Sequence, residues 1–133
     1  MSEHAPLIDR YIAAWNEADA ERRRDLIAGT WTETATYVDP LMSAAGHDGI
    51  NAMIQGVQAR FPDFRFSLTA VDGYGDWVRF SWALGPAGVD PVVEGTDFAR
   101  VSDDRRLSAV TGFLDKVPAA VIYGKAVALI FHI

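Results

Sequence analysis

The spacing of apolar residues changes period at Pro62, and that change fixes the kind of fold open to this chain. Before it, Leu7, Ile8, Tyr11, Ile12 and Trp15 recur at helical spacing, with Asp9, Arg10 and Asn16 on the opposite side. This predicts an amphipathic helix from about His4 to Glu17. A second helix is predicted from about Ala20 to Ala28, with Gly29 suited to its C-terminal cap. Ile50, Met53, Ile54 and Val57 mark a third, from Asp48 to Arg60. After Pro62 the period is two: Phe64, Phe66, Leu68 and Ala70 alternate with Arg65, Ser67 and Thr69, then Val78, Phe80, Trp82 and Leu84 alternate with Trp77, Arg79, Ser81 and Ala83. A turn at Gly73–Asp76 separates these two strands, a Gly- and Pro-rich loop at Gly85–Pro91 leads to a third strand that carries Asp97, and a turn at Asp103–Asp104 leads to the last strand, Leu107–Asp115. One strand precedes the switch, Glu33–Asp39; it stops at Pro40, which holds Asp39 extended. Three helices followed by hairpin-linked strands predict an α+β fold, a conical barrel of three N-terminal helices packed on a strongly curved antiparallel sheet. An apolar cone is left between the layers. The chain reads as one domain over 1–133, with a core at about 5–117 and an apolar C-terminal extension at 118–133.

The 133 residues carry a net charge of −6, which argues against a nucleic-acid partner, because phosphate recognition needs a positive surface. The one compact basic run, Arg22-Arg23-Arg24, is flanked by Glu21 and Asp25 and reads as a solvated helix face. No cysteine is present, so disulfides and thiolate chemistry are excluded. No apolar run approaches the roughly 18 to 20 residues that span a bilayer. The first residues lack the basic and apolar regions of a secretory signal, so a cytoplasmic location and no membrane partner are expected. His4, His47 and His132 are scattered without ligand spacing, and neither a metal nor a cofactor is expected.

Three polar side chains stand where apolar ones belong. Alternation along Val92–Val101 puts Val93, Gly95, Ala99 and Val101 on one side, and Asp97 on that same side. Burying a carboxylate costs several kcal/mol or so unless it is paired or protonated. Tyr11 lies within the helical apolar stripe, and Asp39 at the inner end of its strand. The plain structural readings are a buried acid paired with Arg79 or Arg65, a core tyrosine, and a turn-forming Asp before Pro.

Arg10-Tyr11-Ile12-Ala13-Ala14-Trp15-Asn16, Thr36-Tyr37-Val38-Asp39-Pro40 and Gly95-Thr96-Asp97-Phe98-Ala99-Arg100-Val101 together resemble the nuclear-transport-factor-2-like (SnoaL-like) superfamily. Within it, these positions are most similar to those of the ketosteroid isomerases. The resemblance implies a conical barrel with an apolar pocket, a homodimer, and a small apolar ketone or steroid-like ligand. It implies Asp39 as the base that moves the α-proton, with Tyr11 and a protonated Asp97 donating to the oxygen of the resulting dienolate. Trp15, Tyr37, Met53, Phe61, Phe80, Trp82 and Phe113 are the candidates to line the ligand cavity. The alternatives are a non-catalytic binding module of the same fold and a polyketide-cyclase-like enzyme. Epoxide hydrolysis on this scaffold pairs an Arg two residues before the strand Asp with a second Asp on the next strand. Gly95 and Gly112 stand at those places here.

Overall fold

Helix α1 (Ala5–Asn16) opens with Pro6 in its first turn, where a missing N–H breaks no intrahelical bond, and buries Leu7, Ile8, Tyr11, Ala14 and Trp15 on one face. The structure, a computed structural model, describes residues 3–118. All of the apolar extension but Pro118 lies outside the described residues. Asp19 caps helix α2 (Ala20–Thr30) by accepting from the Arg22 amide at 2.9 Å. This helix runs past Gly29, the expected cap. Thr30 and Trp31 are both wholly buried, and their burial outweighs the cost of about 1 kcal/mol for a helical glycine.

The basic run is only partly a solvated face. Arg22 pairs with Glu17 and Arg24 with Asp48 at the surface, but Arg23 is 2% exposed. Its Nε donates to Asn51 Oδ1 at 2.7 Å, and its Nη1 to the Glu17 carbonyl at 2.8 Å and Gln58 Oε1 at 3.2 Å. The guanidinium therefore ties α2 to helix α3 (Gly46–Arg60) and to the chain leaving α1 through neutral acceptors.

The strands are β1 (Trp31–Val38), β2 (Ser43–Ala45), β3 (Phe64–Tyr74), β4 (Trp77–Pro86), β5 (Val93–Val101) and β6 (Leu107–Lys116). They form one curved, unclosed sheet in the order β2-β1-β6-β5-β4-β3. All neighbours are antiparallel except β1 and β6, which run parallel. A parallel pair needs a long crossover, and α3 with β3, β4 and β5 supplies it. The hairpin between β3 and β4 is tighter than expected. Tyr74 pairs with Trp77, and Gly75, at φ 56°, makes the two-residue turn with Asp76.

Alternation in β3 holds only to Leu68. The register slips between Leu68 and Ala70, so that Thr69 is the extra residue of a bulge. Beyond it Val71 is half-buried and Ala70 is exposed, contrary to the simple period-two reading. Along β5 the alternation is unbroken. Val93, Gly95, Asp97, Ala99 and Val101 are all buried, and Phe98 is 45% exposed on the other side.

Candidate active site

Asp97 comes from the middle of β5, Tyr11 from the inner face of α1, and Asp39 from the turn that follows β1. Together with Trp15, Tyr37 and Trp82 they line a cavity between the helices and the sheet. Its remaining walls are Ile12, Met42, Val57, Phe66, Leu84 and Leu114. The room in it for the centres of water-sized spheres is small, about 20 Å³, on a measure where one water molecule needs roughly 10 to 15 Å³. Interstices and the open mouth bring the empty space to about 400 Å³. A larger, half-open chamber adjoins it, about 430 Å³ on the first of these measures, and Trp15, Val57, Phe66 and Leu84 line both.

Four of the aromatic and Met candidates for the lining lie elsewhere. Phe80 is wholly buried behind Tyr11, with ring centroids 4.8 Å apart. Met53 is packed into the core with Ile50 and Ile54. Phe61 lines only the larger chamber. Phe113 is 56% exposed, because β6 alternates and gives its inner face to Gly112 and Leu114. Leu114 takes the place expected of Phe113.

Asp97 is 1% exposed. Its partners are not arginines: Arg79 pairs with Asp72 at 3.7 Å on the surface. Tyr11 Oη donates to Asp97 Oδ2 at 2.6 Å, and Trp82 Nε1 donates to Asp97 Oδ1 at 3.1 Å. The indole bond is one that sequence reasoning missed. Its signal is Gly95, which pairs directly with Trp82 across β4 and β5. A Cβ at residue 95 would lie 2.3 Å from the Trp82 ring, so only glycine leaves room for the indole there. Burial pushes the Asp97 carboxyl up to about 6; the Tyr11 and Trp82 hydrogen bonds pull it down, while Asp39 and Asp115 push it further up. Burial also raises Tyr11 and Tyr37 well above the usual phenol value, helped by the neighbouring carboxylates. Both phenols are therefore neutral donors over the working range of pH.

Asp39 is held differently. Its Oδ1 accepts from the amides of Leu41 and Met42 at 2.8 and 2.9 Å, and its Oδ2 accepts from Tyr37 Oη at 2.7 Å. This is the turn-forming arrangement expected of an Asp before Pro, and the same side chain also faces the cavity. The two acids meet at Gly112. A Cβ there would stand 2.8 Å from Asp97 Oδ1, 3.2 Å from Asp39 Cβ and 3.3 Å from Tyr37 Oη. Both acids line the one cavity. Among the described residues, no cluster of His, Asp and Glu could hold a metal ion. His47 instead donates from Nε2 to the Trp31 carbonyl at 2.8 Å.

The family model for the SnoaL-like domain matches residues 8–109, which takes in α1 through the start of β6. The chain belongs to the SnoaL-like family. Among solved structures this SnoaL-like domain is similar to a provisionally assigned isomerase of the same family from Agrobacterium tumefaciens. That likeness has 45% identity and a TM-score of 0.81, over 86% of this chain and 99% of that one. A provisionally assigned ketosteroid isomerase from Kribbella flavida shares 20% identity with a TM-score of 0.65, over 86% of this chain and 78% of that one. A provisionally assigned SnoaL-like polyketide cyclase from Jannaschia sp. shares 16% identity with a TM-score of 0.66, over 98% and 96%. At those identities the last two establish the shared fold alone. No curated protein matches the chain in sequence.

Proposed function

We propose that this SnoaL-like domain is an isomerase-type enzyme that moves a proton on the carbon next to a ketone, by way of an enolate or dienolate. The observation that carries the reading is the buried Tyr11–Asp97–Trp82 set on the wall of a largely apolar cavity that Asp39 also faces. Removing an α-proton puts negative charge on the carbonyl oxygen, and preorganised donors in a water-poor site stabilise it by about 3 to 4 kcal/mol each. Tyr11 can supply such a donor. When Asp97 is protonated, its acid proton can bond the Tyr11 oxygen or the ligand, and this frees a donor for the enolate. Asp39 then takes the proton from one carbon and returns it to another. The ligand in this reading is a small apolar ketone. A steroid-sized one would have to part Trp15 and Phe66, whose ring centroids are 5.1 Å apart, to extend into the larger chamber.

A second assignment of roles has its own support. Asp39 already accepts three hydrogen bonds, whereas Asp97 accepts two. Asp97 is then the proton shuttle, as in polyketide-cyclase-like chemistry with an acidic group in the pocket, and Asp39 anchors Tyr37. The pH dependence separates the two. A neutral donor acid works below its pKa, so kcat/KM should fall as pH rises through about 6. A carboxylate base works above its pKa, so kcat/KM should rise through the same region. The test is conversion of cyclohex-3-enone and of a β,γ-unsaturated 3-ketosteroid to the conjugated enone, followed by ultraviolet absorbance across the pH range. Turnover of neither substrate at any pH would contradict the isomerase reading and leave a binding module.

A further inference from the structure

Among the described residues, two buried indole nitrogens, those of Trp15 and Trp31, meet no hydrogen-bond partner in good geometry. Trp31 is not part of the cavity wall and packs behind Tyr11, with ring centroids 5.1 Å apart, but Trp15 belongs to the wall. Trp15 is 4% exposed. Its ring is fixed by Phe66 at 5.1 Å, Tyr37 at 6.0 Å and Tyr11 at 6.3 Å between centroids. Its carbonyl accepts from Gln58 Nε2 at 3.0 Å, so backbone and ring are both held in place. An indole can only donate, and a buried N–H without an acceptor forfeits the hydrogen bond it made to water. The cost is removed when something carrying a lone pair enters the cavity. The Trp15 N–H lies near enough to the Tyr11 oxygen to draw that phenol's pKa down, against the rise that burial imposes. Both rings stand on the wall of the same cavity, with centroids 6.3 Å apart.

We propose that Trp15 is a ligand-contacting, specificity-determining residue whose Nε1–H donates to the carbonyl oxygen of the bound ketone. This rests on the ketone reading above, and it adds a donor from α1 one helical turn beyond Tyr11. It gives the cavity a preference for a carbonyl over a methylene of the same shape.

The test compares binding of 2-tetralone and of tetralin, its hydrocarbon counterpart, by calorimetry and by the indole N–H signals in ¹H–¹⁵N spectra. In the wild type, 2-tetralone should bind more tightly and move the Trp15 indole signal downfield, while tetralin leaves that signal nearly in place. Trp15→Phe should cut the ketone-over-hydrocarbon preference by roughly five- to tenfold. Trp31→Phe, which removes the other unpartnered indole, should leave the preference unchanged. The indole measurement needs no variant, so it stands even if Trp15→Phe folds poorly. An unchanged preference in Trp15→Phe, a Trp15 signal that responds equally to both compounds, or failure of 2-tetralone to bind would overturn the proposal. Exchange of the α-protons of 2-tetralone for deuterium, read in the same samples, reports on the proton-transfer reading separately. Binding with the Trp15 signature but no exchange would sink that reading and leave the donor in place.

Discussion

At pH 8 the Asp97→Asn protein should resist urea better than the wild type, by about 3 kcal/mol, and should turn over ketone at least tenfold more slowly. The stability half follows from linkage. The Asp97 carboxyl is raised from 3.8 to about 6 in the folded protein, and each unit is worth about 1.4 kcal/mol. A raised folded pKa means that the folded state holds its proton where the unfolded chain has lost it. Its contribution is fully present below about 3.8 and is lost as pH rises through about 6. At pH 8 the wild type carries the whole cost of a buried charge. Asparagine is neutral at every pH, keeps the shape, and can still meet Tyr11 and Trp82 with one acceptor and two donors. The advantage of the variant should shrink to nothing near pH 4. A variant less stable than wild type at pH 8 would mean that the hydrogen bonds to the ionised acid outweigh its burial. The activity half assigns the role. If Asp97 donates, the amide N–H substitutes in part, and roughly a tenth of the rate should survive. If Asp97 is the base, the amide cannot accept a proton, and the loss should exceed a hundredfold.

Asp39→Asn should reverse that pattern. If Asp39 is the shuttle, kcat should fall by about a hundredfold or more while affinity for 2-tetralone holds, because proton transfer by a positioned group contributes about 10² to 10⁴. If Asp39 serves only as the anchor of Tyr37, the effect should be small on kcat. The amide retains a carbonyl oxygen for the Leu41 and Met42 amides, and only the strong acceptor for Tyr37 Oη is weakened. The two asparagine variants side by side therefore place the proton shuttle on one acid or the other. Equal, modest losses in both would match neither assignment.

What the chain's spacing reveals and what it hides have physical causes. The inward direction of Asp97 is legible because β5 alternates without a bulge from Val93 to Val101. The stripe of α1 is legible because its apolar residues all face one core. The bulge at Thr69 is not, since one extra residue leaves no mark in composition. The parallel pairing of β1 with β6 is set by tertiary closure, and no local turn announces it. Cavity walls are harder still. Phe113 and Leu114 are adjacent and face opposite ways, and only the register that sets Gly112 beside Asp97 tells which one points inward. Large aromatic residues such as Phe80 fill the core behind the site, while the space itself depends on absences at Gly95 and Gly112. The phenol partner of Asp39 follows a simpler rule. Tyr37 and Asp39 are two residues apart, hence on one face of the same strand end, and their hydrogen bond follows from that spacing.

Whether Asp97 is a desolvated acid at the wall of a ligand cavity can be read from its own titration. The side-chain ¹³C signal of Asp97 should be followed from pH 3 to 9 or so, in the free protein and with 2-tetralone bound. A desolvated Asp97 should titrate with a midpoint near 6 in the free protein, moving upward when the ligand displaces water from the cavity. A midpoint near 4 that ignores the ligand would show an acid in ordinary contact with solvent, with no part in a ligand site.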